Sequence, residues 1–104
     1  PRRPRSLLPD GIYHVTSLGV EHRLIFLDDN DRRLFLVLLH AVVHAFDWQM
    51  HALCLLGTHY HLVVECTREN LSNGMQHLNG VYAQSFNRRY RRWGHLFGDR
   101  STAG

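Results

Sequence analysis

The sequence predicts an α+β sandwich, with two helices covering one face of an antiparallel-rich sheet. Three observations predict it. Short stretches alternate apolar and polar residues; two long stretches carry apolar residues at helical spacing; and these elements follow one another in the order β-α-β-β-α. A chain of 104 residues, 44% of them apolar, can bury one core of this kind.

Each element has its own local reason. Residues 1–10 (PRRPRSLLPD) hold all three prolines and read as a basic arm, because proline suits neither a helix interior nor a central strand. Residues 11–17 (GIYHVTS) alternate, with Ile12, His14 and Thr16 on one face and Tyr13, Val15 and Ser17 on the other. Asp28, Asp29 and Asn30 supply caps for a helix over residues 31–46, where Leu34, Phe35, Leu38, Leu39, Val42, Val43 and Phe46 form one apolar stripe. Residues 48–56 read as a second strand, with Trp48, Met50, Ala52 and Cys54 sharing a face, and residues 59–65 (HYHLVVE) as a third. Gly57-Thr58 is short enough to join them as a hairpin. Asn70 can cap a second helix running to about residue 89, packed through Leu71, Met75, Leu78, Tyr82 and Phe86 and weakened locally by Gly74 and Gly80. Residues 11–97 thus form the domain, and residues 98–104 read as a tail. A fourth strand would complete a ferredoxin-like, RRM-like sandwich, whose first and third strands are central.

The third strand carries the chemistry. Residues i and i+2 of a strand share a face, so His59 and His61 project together, about 7 Å apart at the backbone. Two imidazoles so placed either converge on one metal ion or stand as exposed polar residues on an open face. Tyr60, Leu62 and Val64 point the other way, toward the helices. His14, on the neighbouring central strand, is the nearest candidate for a third ligand. Glu65 shares the face but lies about 13 Å along the strand from His61. Of the remaining histidines among the nine, His22, His51, His77 and His95 show no metal spacing; His40 and His44 lie at i, i+4 without the Glu of HExxH and read as helix surface.

A second cluster follows the second helix. Arg88, Arg89, Tyr90, Arg91, Arg92 and Trp93 interleave cations with aromatic rings. Arginine neutralises phosphates and rings stack on unpaired bases, a combination that suits single-stranded nucleic acid; the same composition also fits a solvated helix end, where cations meet the dipole. The net charge is +3, and all twelve basic residues are arginine. No apolar run is long enough to span a membrane, no signal peptide is visible, and Cys54 and Cys66 are too few for a disulfide framework and lack CxxC spacing. The two cysteines read as reduced, packed thiols, and the cytoplasm is the expected location.

Together, "DGIYHVTSLGV", "LLGTHYHLVVE", "NLSNGMQHLNGVYAQSFNRRY" and "GHLF" resemble the insertion-sequence-200-like transposases, and more closely the REP-associated tyrosine transposases, over roughly residues 10–98. The resemblance implies a HUH-type enzyme. His59 and His61 would bind Mg²⁺ or Mn²⁺ at a scissile phosphate of single-stranded, hairpin-bearing DNA. A tyrosine hydroxyl would attack, leaving a 5′-phosphotyrosine link and a free 3′-OH. It also implies a homodimer, since relatives share active sites between subunits. Thr58 stands where the family usually has Asn, Leu18 where Arg is common, and Gly98-Asp99-Arg100-Ser101 replaces the usual run after Phe97. The family's nucleophilic tyrosine lies on a helix some 50 residues past the histidine pair, a point beyond Gly104. Within this chain Tyr82 is the candidate for that role, although its spacing also places it in the packed stripe. The alternatives are a non-catalytic single-strand-binding module and a transposase remnant. A generic RNA-binding domain fits less well, because the first and third strands lack the aromatic-rich patterns of that class.

Overall fold

The structure, a computed structural model, describes residues 11–98 and the backbone of 102–103. The expected basic arm, residues 1–10, lies outside the described residues. The elements run β1 (Gly11–Leu18), α1 (Asp29–Ala45), β2 (Gln49–Leu55), β3 (His59–Cys66), α2 (Arg68–Tyr90) and β4 (Thr102–Ala103). The strands form one antiparallel sheet in the order β2-β3-β1-β4, so β1 and β3 are central, as the ferredoxin-like reading requires. The two central strands pair over their full length, from Gly11 opposite Cys66 to Leu18 opposite His59.

Alternation decides which face is covered. Val15 and Ser17 of β1, and Tyr60, Leu62, Val64 and Cys66 of β3, are buried beneath the helices. Phe35, Leu39 and Val42 of α1 and Leu71, Met75, Leu78, Tyr82 and Phe86 of α2 close over them. Phe26, Phe35, Tyr60 and Tyr82 meet at its centre, with ring centroids 4.6 Å apart for Phe35–Tyr60 and 5.5 Å for Phe26–Tyr82. Each such ring or aliphatic side chain removed from water contributes about 1.5–3 kcal/mol, which is what holds short strands in one register.

Three details differ from the sequence reading. First, α2 starts earlier: Thr67, not Asn70, is its cap, accepting from the Asn70 N–H, while Asn70 donates its amide to the Phe46 carbonyl. Second, β2 does not keep one face. A bulge between Met50 and Ala52 shifts the register, so Met50 opposes buried Val64 while Cys54 opposes His61 on the open face. Cys54 is accordingly exposed, and only Cys66 is a packed thiol. Third, the tail contributes β4, two residues paired to Val15 and Thr16. The chain reaches that edge because Gly98 donates to the Leu18 carbonyl and Phe97 bridges to Gly19.

The two helix glycines are not equivalent. A Cβ on Gly74 would lie 2.3 Å from Cζ2 of Trp48, whose buried indole donates to the Asn70 carbonyl. A Cβ on Gly80 would meet nothing within 4 Å. Gly80→Ala should therefore raise stability by up to about 1 kcal/mol through helix propensity. Gly74→Ala should lower it by about 1–2 kcal/mol, because overpacking outweighs the same propensity gain. Paired urea melts of the two variants check the opposite signs.

Candidate functional site

β3 begins at His59, directly after the turn that joins it to β2, and its odd-numbered side chains face away from the helices. His59 and His61 stand side by side there, with ring centroids 5.0 Å apart and planes at 83°. Threonine hydroxyls meet both rings at Nδ1: Thr58 Oγ1 lies 3.1 Å from His59 Nδ1, and Thr16 Oγ1 lies 3.0 Å from His61 Nδ1. An Nδ1–H donated to a hydroxyl fixes the tautomer whose lone pair is on Nε2, the usual arrangement of a metal-ligating histidine. Partial burial, followed by the neighbouring His59 and His14, holds the His61 imidazole below its ordinary pKa, which favours the neutral form.

These features fit a divalent ion. Two imidazoles that share one ion through nitrogen bonds of about 2 Å stand with ring centres roughly 4.5–5 Å apart, for octahedral and tetrahedral angles alike. His14 is a hydrogen-bonded neighbour of the pair: its Nε2 is 3.0 Å from His61 Nδ1. Glu65 pairs with His51 at 3.1 Å. No group of three or more His, Cys, Asp or Glu side chains among the described residues is arranged to hold a metal. An ion here would take two protein nitrogens and complete its shell from water or substrate.

The tyrosines are otherwise engaged. Tyr82 is fully buried and its hydroxyl donates to the Ile25 carbonyl. Burial above all, then the Asp31 charge, raises its pKa far above the ordinary range. The candidate nucleophile is thus placed among the core side chains. Tyr60 is buried as expected and donates to Asn79. Tyr13 is half-buried, with the Arg68 guanidinium 5.9 Å from its ring. Tyr90 donates to Asp31 Oδ2 at 2.7 Å; burial, then this bond, pushes its pKa up to about 12.

The basic-aromatic segment divides in two. Arg88, Arg91, Arg92 and Trp93 are exposed, Trp93 at 90%. Arg89 instead turns back across the helix layer to Asp31 at 2.6 Å and Asp28 at 2.9 Å, and Tyr90 packs on Phe86 with centroids 4.7 Å apart. Arg89, whose side chain stays 41% exposed, and Tyr90 thus clamp α2 to the start of α1. Asn87 shapes the turn beyond: its carbonyl accepts from Arg92 N–H and its amide donates to the Gly94 carbonyl. The segment then runs beside the histidine end of the sheet, since Val20 N–H donates to Leu96 and Gly19 N–H to Thr58. The orienting threonines were missed in the sequence, although alternation already put Thr16 on the face that His61 occupies.

Comparison with known proteins agrees with this architecture. The family model described as "Transposase IS200 like" matches residues 9–101. Among solved structures, a candidate transposase from Deinococcus radiodurans R1 superposes with a TM-score of 0.75 at 14% identity, covering 100% of this chain and 85% of that one. At that identity the likeness is one of fold. No curated protein matches the chain. No helix among the described residues is long and apolar enough to cross a membrane.

Proposed function

The chain belongs to the IS200-like transposase family, and from that premise we propose that it is the metal-dependent, single-stranded-DNA-handling domain of a transposase. The observation that carries this reading is the His59–His61 pair, with both Nδ1 atoms met by threonine hydroxyls and both rings turned to the open face. These two residues would hold Mg²⁺ or Mn²⁺, which when bound supplies Lewis-acid polarisation of a phosphate oxygen. Thr58, Thr16 and His14 keep the two rings aimed. Arg88, Arg91 and Arg92 neutralise phosphates of the strand, and Trp93 offers a face on which an unpaired base stacks. The Gly19–Thr58 and Val20–Leu96 backbone bonds bring the chain beyond α2 toward the start of β3, which would let one strand meet both groups. The cytoplasm and a homodimer are the expected setting and assembly, the latter checked by light scattering.

The burial of Tyr60 and Tyr82 and the bond of Tyr90 to Asp31 argue against these hydroxyls as the attacking group. That sequestration favours, as the second reading, a domain that binds DNA and metal without itself forming a covalent link. The deciding test is incubation of the chain with hairpin-bearing single-stranded DNA and Mn²⁺, read both on a denaturing gel and by a binding shift. Metal-dependent binding without an adduct supports the second reading. An adduct that survives Tyr82→Phe supports the nuclease with its nucleophile elsewhere. An adduct abolished by Tyr82→Phe, in a variant that stays folded, would overturn the assignment of Tyr82 to the core. DNA binding indifferent to metal would sink both.

Thr58→Val tests the aiming of the rings. It removes one hydroxyl at nearly constant volume and frees His59 Nδ1. The expected result is about 10–100-fold weaker Mn²⁺ binding with an unchanged melting temperature. Calorimetric titration reads the first quantity and thermal unfolding the second.

A further inference from the structure

A second pair of histidines lies on the helix layer. His40 and His44 stand one turn apart on α1, both exposed, with ring centroids 4.7 Å apart and planes at 68°. The two rings contact one another edge to face. The open face of the sheet, where His59 and His61 lie, is on the opposite side from the helices.

We propose that His40 and His44 form a separate chelating site for one borderline transition-metal ion of the Zn²⁺ or Ni²⁺ class. Residues at i, i+4 hold their Cβ atoms about 5–6 Å apart on one helix face. Two imidazoles sharing one ion, with metal–nitrogen bonds of about 2 Å, have ring centres roughly 5 Å apart. The rings already stand close to that spacing, so binding requires side-chain rotation and no backbone movement. Water completes the shell, because the positions around the pair are solvent-exposed. Imidazole nitrogen suits zinc, nickel and copper, whereas Mg²⁺ prefers oxygen donors, which at the sheet face a DNA phosphate would add to the two imidazoles. The ion would cross-link two turns near the end of α1.

The test uses the full chain carrying His59→Ala and His61→Ala, so that its outcome does not depend on the proposed function. Calorimetric titration with ZnCl₂ should show one ion bound per chain, undisturbed by excess Mg²⁺. Adding either His40→Ala or His44→Ala should weaken that binding by roughly tenfold or more, since one imidazole alone loses the advantage of a tethered second donor. Alanine is favoured at exposed helix positions, so these variants keep the fold, which circular dichroism verifies. Absence of zinc binding in the first chain would overturn the proposal. So would unchanged affinity in either added variant, or displacement of the zinc by Mg²⁺.

Discussion

His59→Ala should lower the affinity for Mn²⁺ by about a hundredfold or more and remove metal-dependent DNA binding with it. The estimate rests on what remains: of the two imidazoles side by side on the open face, one is lost, and His14 is turned toward His61 Nδ1. Loss of a group that merely orients a ligand costs about 10–100-fold, so loss of a ligand should cost at least as much. His14→Ala is the graded control and should fall within that smaller range. Electron paramagnetic resonance titration of free Mn²⁺ reads all three chains. Unchanged affinity in His59→Ala would sink the metal site. The exposed arginines supply an independent readout: Arg88→Ala, Arg91→Ala and Arg92→Ala should each reduce the salt dependence of DNA binding by about one phosphate contact. Arg89→Ala should also act on stability, because its guanidinium pairs with Asp28 and Asp31.

Asp31→Ala is the substitution with the largest expected effect on folding. This carboxylate is 2% exposed and serves three donors: Leu27 N–H at 2.8 Å, Arg89 at 2.6 Å and the Tyr90 hydroxyl at 2.7 Å. Breaking a buried pair costs about 3–5 kcal/mol when both ions are deeply buried. Here the Arg89 side chain is 41% exposed and can recover water, so about 2–3 kcal/mol is expected. For a domain of this size that lowers the melting temperature by roughly 10–20 °C. Asp31→Asn, which retains the shape and part of the hydrogen bonding, should lose less. The adjacent Asp28 adds a pH dependence of known sign. Its carboxyl is held below the usual range first by the Asp31 N–H and then by Arg89. A carboxyl depressed in the folded state contributes at neutral pH and loses that contribution as pH falls through its folded pKa. Stability should therefore decline below about pH 4, and chemical unfolding measured across that range checks it.

Most of the fold was legible because strand and helix periods are local. The burial of Tyr60, Leu62 and Val64, and the stripe from Leu71 to Phe86, follow from spacing alone. Where the reading went astray, a nonlocal partner had intervened. Asn70 is a plausible cap, yet Thr67 takes the role because the Phe46 carbonyl is within reach of the Asn70 amide. Cys54 shares a strand face with Met50 in an unbroken strand, but the bulge moves it to the other side. Tyr82 belonged on paper both to the apolar stripe and to a list of nucleophiles. The Ile25 carbonyl, 57 positions away, settles it in the core.

The sequence by itself determined the order of elements, the covered face of the sheet and the common projection of His59 and His61. All three follow from side-chain periodicity, which is fixed by backbone geometry within a few residues. Only the tertiary structure decided which neighbours aim those rings, and which arginine of the basic segment is tied to carboxylates of α1. Thr16 reaches His61 through strand pairing, and Arg89 reaches Asp31 through helix packing. Contacts between residues so far apart depend on how elements dock, and docking is set by the shape of the whole core.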